Sequence, residues 1–184
     1  IKDGGQCVSD IIANGIIPAG MEMMDRALIH ATDNFVKAGY PLDAKSMLIV
    51  ELDGAASEVE ESMKSINKIA KKNNSSSLKI SKNDNQRLKF WAGRKAAFPA
   101  CGNMSPDYYC MDGTIPRRKL AEVLKEIYRL SKKYNLPVAN AFHAGDGNLH
   151  PLIMYDANEK DSLKKTEKFG ADILKYCVKV GGVL

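Results

Sequence analysis

The chain has 184 residues, 45% of them hydrophobic and 27% charged, within the ordinary range of a globular protein; at about 150 residues per domain it holds one domain. A chain of this size buries about two-thirds of its unfolded surface, so its core has no need of disulfides or structural metal. The net charge of +5 is spread along the sequence, which argues against nucleic acid as a partner, and no apolar run approaches the length of about 18 residues that a membrane-spanning helix needs.

Short extended runs alternate with long apolar stripes. Met24, Leu28, Ala31 and Phe35 fall on one face of a helix that ends near Gly39-Tyr40-Pro41. Residues 46–53 read as a strand, and Val59, Met63, Ile66 and Ala70 form a second helical stripe, acidic in its first turns and basic at its end, as the helix dipole favours. Residues 78–80 are expected to make a short strand. Asn83 or Asp84 caps a helix carrying Leu88, Trp91, Ala92 and Phe98, with Pro99 as its stop.

Residues 108–115 read as extended, and Pro116 suits the first turn of the helix that follows, where its missing N–H costs nothing. Leu120, Val123, Leu124, Ile127, Leu130 and Tyr134 give that helix its stripe. Two strands, 136–142 and 149–155, are joined by a Gly-rich turn, and a last helix from about Asn158 turns Leu163, Ile173, Leu174 and Cys177 inward. Consecutive strands require an antiparallel pair, so we expect an α+β fold: a ferredoxin-like antiparallel sheet with helices on one face and the other face available to a partner.

Four cysteines, at positions 7, 101, 110 and 177, show no CxxC pair, which fits ordinary thiols in a reducing, cytoplasmic setting. The chain starts on Ile1 and stops two residues after Gly181-Gly182. We therefore expect a segment of a longer protein.

The segment with most chemistry is 142–151, FHAGDGNLHP. Gly145, Gly147 and Asn148 tolerate positive φ, so the turn places His143 and His150 on the two shoulders of one hairpin. Two converging imidazoles can hold a divalent metal, or can be satisfied by backbone hydrogen bonds; a third ligand is not near them in sequence. Asp146 reads as an Asx-turn residue, and His30 as a surface or core histidine. Phe90, Arg94 and Phe98 are helical neighbours at i, i+4 and i+8, which sets a guanidinium between rings. Arg94 can grip a substrate carboxylate with two parallel hydrogen bonds or snorkel to solvent; Lys95 points elsewhere. Glu22 and Glu51 lie in or beside extended runs and are expected in ion pairs. GxGxxG, GxxxxGK[ST] and GxSxG are all absent, so a nucleotide-phosphate cradle or a serine nucleophile has no motif here.

FHAGDGNLHP at 142–151 resembles the signature of the FAD-linked oxidase C-terminal domain, the substrate or cap half of flavoenzymes in the vanillyl-alcohol-oxidase-like superfamily, which includes D-lactate dehydrogenases, D-2-hydroxyglutarate dehydrogenase and glycolate oxidase. FWAGRKAAFPA at 90–100 and SPDYYCMDGTIPRR at 105–118 are similar to the FAD subunits of bacterial glycolate oxidases, as are PAGMEMMD at 18–25 and VELDG at 50–54. The resemblance covers essentially all of residues 1–184. It implies a cap domain lacking the N-terminal FAD-binding portion and the C-terminal end of the enzyme.

By the same resemblance, Arg94 is the catalytic, substrate-binding residue that grips the carboxylate, and His143 and His150 are ligands of a divalent metal, zinc or iron. The family's third metal ligand is a glutamate in a Gly-Glu-His-Gly motif, whose histidine is the base; the sequence stops at Leu184, short of it. Alone, the segment is therefore expected to be inactive. Relatives acting on larger acids carry polar residues where Phe98, Cys110 and Leu152 stand here, which points to a small 2-hydroxy acid such as glycolate or D-lactate, oxidised to the 2-oxo acid by hydride transfer to FAD. Expected partners are that acid and other glycolate oxidase subunits or an electron acceptor; the expected location is the cytoplasm, or the inner membrane periphery through those subunits. Two rival readings are an interaction module binding RNA or protein through the sheet, and a metal hydrolase using His143, His150 and Asp146.

Overall fold

A computed structural model describes residues 2–184. The helices are α1 (Lys2–Ala13), α2 (Arg26–Val36), α3 (Ala56–Lys72), α4 (Asp84–Lys95), α5 (Ala97–Cys101), α6 (Leu120–Tyr134) and α7 (Ser162–Lys179). The strands are β1 (Gly20–Asp25), β2 (Ser46–Glu51), β3 (Asp107–Cys110), β4 (Gly113–Thr114), β5 (Val138–His143) and β6 (Asn148–Tyr155), with a 3-10 turn at Arg117–Lys119. They form one sheet in the order β2-β1-β5-β6-β3, with β4 also on β6, and every pairing is antiparallel. Because β3 and β5 both run against β6, they are parallel to each other with β6 between them. With α6 as their connection they make the split β-α-β unit of a ferredoxin-like sheet.

Alternation along the strands sends side chains to two faces, and helices cover both. Met21, Met23, Phe142, Leu149 and Ile153 meet α1, α3, α6 and α7 in one core. Met24, Ile49, Ala141 and Leu152 meet α2, α5 and the Trp91 ring of α4 in the other. The expected open face is thus occupied: α2, α4 and α5 lie on it, and what remains exposed is its end near the β5–β6 turn.

Several local expectations change. Met24 belongs to β1 rather than to the following helix, because the buried Asp25 side chain accepts the Leu28 N–H at 3.0 Å and starts α2 after it; Phe35 accordingly leaves the buried stripe and is 47% exposed. Residues 78–80 form no strand, and Leu78 and Ile80 are exposed. Pro99 ends nothing: α4 closes at Lys95, and Pro99 sits in the first turn of α5, where no N–H partner is missed. In α7 Ile173 and Cys177 are inward as expected and Phe169 joins them, while Leu163 is exposed. Helix α1 has no counterpart in the sequence reading; its Gly5 allows contact with α6, since a Cβ there would stand 3.1 Å from the Ala121 backbone nitrogen.

Asp25 also joins the layers. It accepts from the Tyr128 hydroxyl of α6 at 2.6 Å and from the Asn140 amide of β5 at 2.8 Å, so β1, α2, α6 and β5 share one buried carboxylate.

Candidate active site

Strands β5 and β6 pair His143 with Asn148 and Ala141 with His150, so the two histidines are diagonal neighbours on one face. Their ring centroids are 5.2 Å apart and nearly perpendicular, at 88°. The turn between them is held by His143 O, which accepts from Asp146 N and Gly147 N at 3.0 Å each. Gly147 has φ 76°, and a Cβ there would fall onto the Ile115 carbonyl oxygen; both facts require glycine.

Glu22 on β1 is the register partner of His143. Its Oε1 lies 2.7 Å from His143 Nδ1, and its Oε2 accepts from Arg94 Nε at 2.9 Å. One carboxylate therefore joins the strand histidine to the helix arginine. Arg94 is only 8% exposed, so it does not snorkel. Phe98 is not paired with it among the cation–π contacts of the described residues; its ring instead stands 6.4 Å from that of His150 and 6.3 Å from that of Tyr108.

Helix α4 reaches the sheet through residues at i, i+4 and i+7. Arg87 Nη1 meets Glu51 at 3.1 Å, the Trp91 ring lies over Gly20, where a Cβ would come within 3.3 Å of it, and Arg94 meets Glu22. The helix begins where Asn83 accepts the Gln86 N–H at 2.9 Å, as the capping signal indicates. The ion pairs expected of Glu22 and Glu51 are present, with these two arginines as partners.

His150 Nδ1 lies 3.9 Å from Asp112 Oδ2. Burial pushes the His150 imidazole pKa below its ordinary 6.5 against the opposing pull of Asp112, which keeps the ring neutral near pH 7. A cavity of about 200 Å³ opens beside His143, bounded by Glu22, Gly145, Asp146, Arg117 and Ile17. Asp146 is exposed on its rim. His30 is a structural residue, its Nε2 2.7 Å from the Leu42 carbonyl oxygen, and Lys95 is exposed. No three His, Cys, Asp or Glu side chains converge as a metal cage among the described residues; the two imidazoles stand as a pair.

Sequence reasoning did not find the bridging role of Glu22, although a lone carboxylate on the Met24 face of the strand GMEMMD was its trace. Tyr40, which fixes the end of α4, left no local signal.

The family model of FAD-linked oxidases, C-terminal domain, matches residues 1–184. The chain belongs to the FAD-linked oxidase C-terminal domain family. It is 54% identical over 182 residues to the glycolate oxidase subunit GlcD of Escherichia coli strain K12, covering 99% of this chain and 36% of that protein. It is 33% identical to GlcD of Bacillus subtilis, across 100% of this chain and 39% of the relative. Against the mitochondrial D-lactate dehydrogenase [cytochrome] of Arabidopsis thaliana the identity is 25%, with 99% and 32% covered. This FAD-linked oxidase domain thus spans well under half the length of the curated relatives it matches. Among solved structures, p-cresol methylhydroxylase with substrate bound aligns with TM-score 0.68 at 14% identity, over 97% of this chain and 42% of that one. Alkyldihydroxyacetonephosphate synthase aligns at 0.63 and 15%, over 99% and 37%. At those identities the likeness is one of fold.

Proposed function

We propose that this chain is the substrate-binding cap of a flavin-dependent oxidoreductase that oxidises a small 2-hydroxy acid, glycolate or D-lactate, to the 2-oxo acid. The observation that carries this reading is the convergence of a buried arginine and two histidines on the exposed end of one sheet face, in a chain related to glycolate oxidase subunits and D-lactate dehydrogenases. Of the Arg94 guanidinium nitrogens, only Nε is bonded to protein among the described residues. Its terminal nitrogens are left for the acid's carboxylate, which they hold by two parallel hydrogen bonds. Because Arg94 is buried, water competes weakly for it.

The imidazoles fit one divalent ion. Two histidines on a tetrahedral centre with metal–nitrogen distances of about 2.0–2.1 Å set their ring centroids about 5 Å apart, and 5.2 Å is the separation here. Each Nδ1 is turned toward a carboxylate, Glu22 or Asp112, which leaves Nε2 for coordination. Nitrogen donors of this kind suit zinc or iron, although these two residues alone do not complete a coordination shell. An ion held there would lower the pKa of the substrate hydroxyl, and FAD, held mainly by another portion of the protein, would supply the hydride acceptor. We place the protein in the cytoplasm, or at the membrane periphery through partner subunits or an electron acceptor; its four free cysteines support a reducing compartment.

The test is anaerobic flavin reduction in the flavoprotein that carries this chain. Glycolate or D-lactate should bleach the flavin, and His143→Ala should abolish bleaching while the flavin stays bound. Failure of every 2-hydroxy acid to reduce the flavin overturns the proposal; loss of flavin in His143→Ala makes that histidine structural.

A further inference from the structure

Building on the function proposed above, we propose that Glu22 is a positioning residue for both halves of the site, setting Arg94 for the substrate carboxylate and His143 for the metal ion through the two oxygens of one carboxylate.

The geometry is a bridge: 2.9 Å to Arg94 Nε on one side and 2.7 Å to His143 Nδ1 on the other. A carboxylate only accepts hydrogen bonds, so the atom of His143 that faces Glu22 must carry a proton. That fixes the imidazole as its Nδ1–H form, with the Nε2 lone pair directed away from Glu22. On the other side, holding the guanidinium by Nε fixes its plane and leaves both terminal nitrogens for an incoming carboxylate. The Glu22 and Arg94 side chains are 12% and 10% exposed, so solvent competes weakly for that ion pair, whereas the His143 side chain is 46% exposed. The pairing of β1 with β5 places Glu22 directly opposite His143, whereas Arg94 arrives from the helical layer above. Glu22 is thus where the position of α4 and the orientation of the hairpin histidine become one constraint.

Glutamine has a single side-chain acceptor oxygen, so Glu22→Gln accepts from Arg94 or from the Nδ1–H form of His143 but not from both. In the flavoprotein that carries this chain, the variant is read by cobalt(II) binding, followed through its visible absorption, and by the KM for the 2-hydroxy acid, with flavin content and thermal midpoint as controls. If the amide favours Arg94, cobalt(II) affinity falls about 10- to 100-fold, as for other partners of metal-bound histidines; if it favours His143, KM rises by about tenfold or more. Either result supports the proposal, and wild-type values of both overturn it. Arg94→Lys and His143→Ala separate the two levels: if these also leave KM and cobalt(II) binding unchanged, the functional reading fails, and if they do not, only the role of Glu22 fails. Should Glu22→Gln not fold, nitrogen NMR of histidine-labelled wild-type protein decides. A His143 ring protonated on Nδ1 supports the bridge, and one protonated on Nε2 alone overturns it.

Discussion

Tyr40 anchors the end of α4 through Gly93. Its hydroxyl accepts the Gly93 N–H at 3.0 Å and donates to the Phe90 carbonyl, across 53 residues of sequence. The contact is close enough that a Cβ on Gly93 would overlap the tyrosine ring. Arg94 is the next residue, so the segment that carries the guanidinium is held by this ring.

Gly93→Ala should therefore destabilise the fold by about 1–3 kcal/mol, the range for overpacking a filled site. Tyr40→Phe keeps the ring and loses both hydrogen bonds, at about 1 kcal/mol. Urea unfolding followed by tryptophan fluorescence measures both, with Trp91 on the same helix as the reporter. An alanine at 93 that leaves the midpoint unmoved would show that the tyrosine can withdraw without cost.

Replacing Arg94 by lysine keeps the charge and discards the fork. Steady-state kinetics with glycolate or D-lactate should show KM rising by about tenfold or more, because a point charge cannot reproduce bidentate pairing. Glu22 also loses its Nε partner in a site where both side chains are largely buried, so a fall in stability should accompany the change. Unaltered KM would remove Arg94 from substrate binding.

At the hairpin, Gly147→Ala imposes a left-handed conformation costing about 1–2 kcal/mol and adds a clash with the Ile115 carbonyl. We expect a lower thermal midpoint together with weaker cobalt(II) binding, since the turn sets the separation of His143 and His150. A destabilised protein that still binds cobalt(II) as tightly as wild type would show that the strands alone hold the histidines in place.

Asp25 gives a pH dependence of definite sign. It is 1% exposed, and burial pushes its carboxyl pKa above the ordinary 3.8, opposed by bonds from Tyr128, Leu28 and Asn140. A carboxyl with a higher pKa folded than unfolded holds its proton more tightly in the native state. Its stabilising contribution is complete below the unfolded value and is lost as pH rises through the folded one. The unfolding free energy of wild type relative to Asp25→Asn should thus decline as pH rises above the ordinary aspartate value of about 4. Chemical denaturation at several pH values measures the difference, and a difference that stays constant as pH rises contradicts it.

The stripe of α6, from Leu120 through Leu130, was legible because its residues are close in sequence and all are buried. The cap at Asn83 and the hairpin carrying His143 and His150 were legible for the same reason: a short turn and a period of two put both rings on one face whatever surrounds them. Met24 shows the limit. Its spacing to Leu28 and Ala31 satisfies a helix, and only the Asp25 cap, with β1 paired on both sides, makes it a strand residue.

The amino-acid order by itself determined most of the helices and strands from β2 onward, the hairpin that brings two imidazoles together, and the family signature. Tertiary structure alone decided that Glu22 faces His143 and that Arg94, 72 residues from Glu22, completes the group. It also decided that α2, α4 and α5 cover the face expected to be open. The physical reason is that periodicity assigns a side chain to a face, whereas the neighbour across that face depends on strand order and helix docking, which are set by the burial of the whole core.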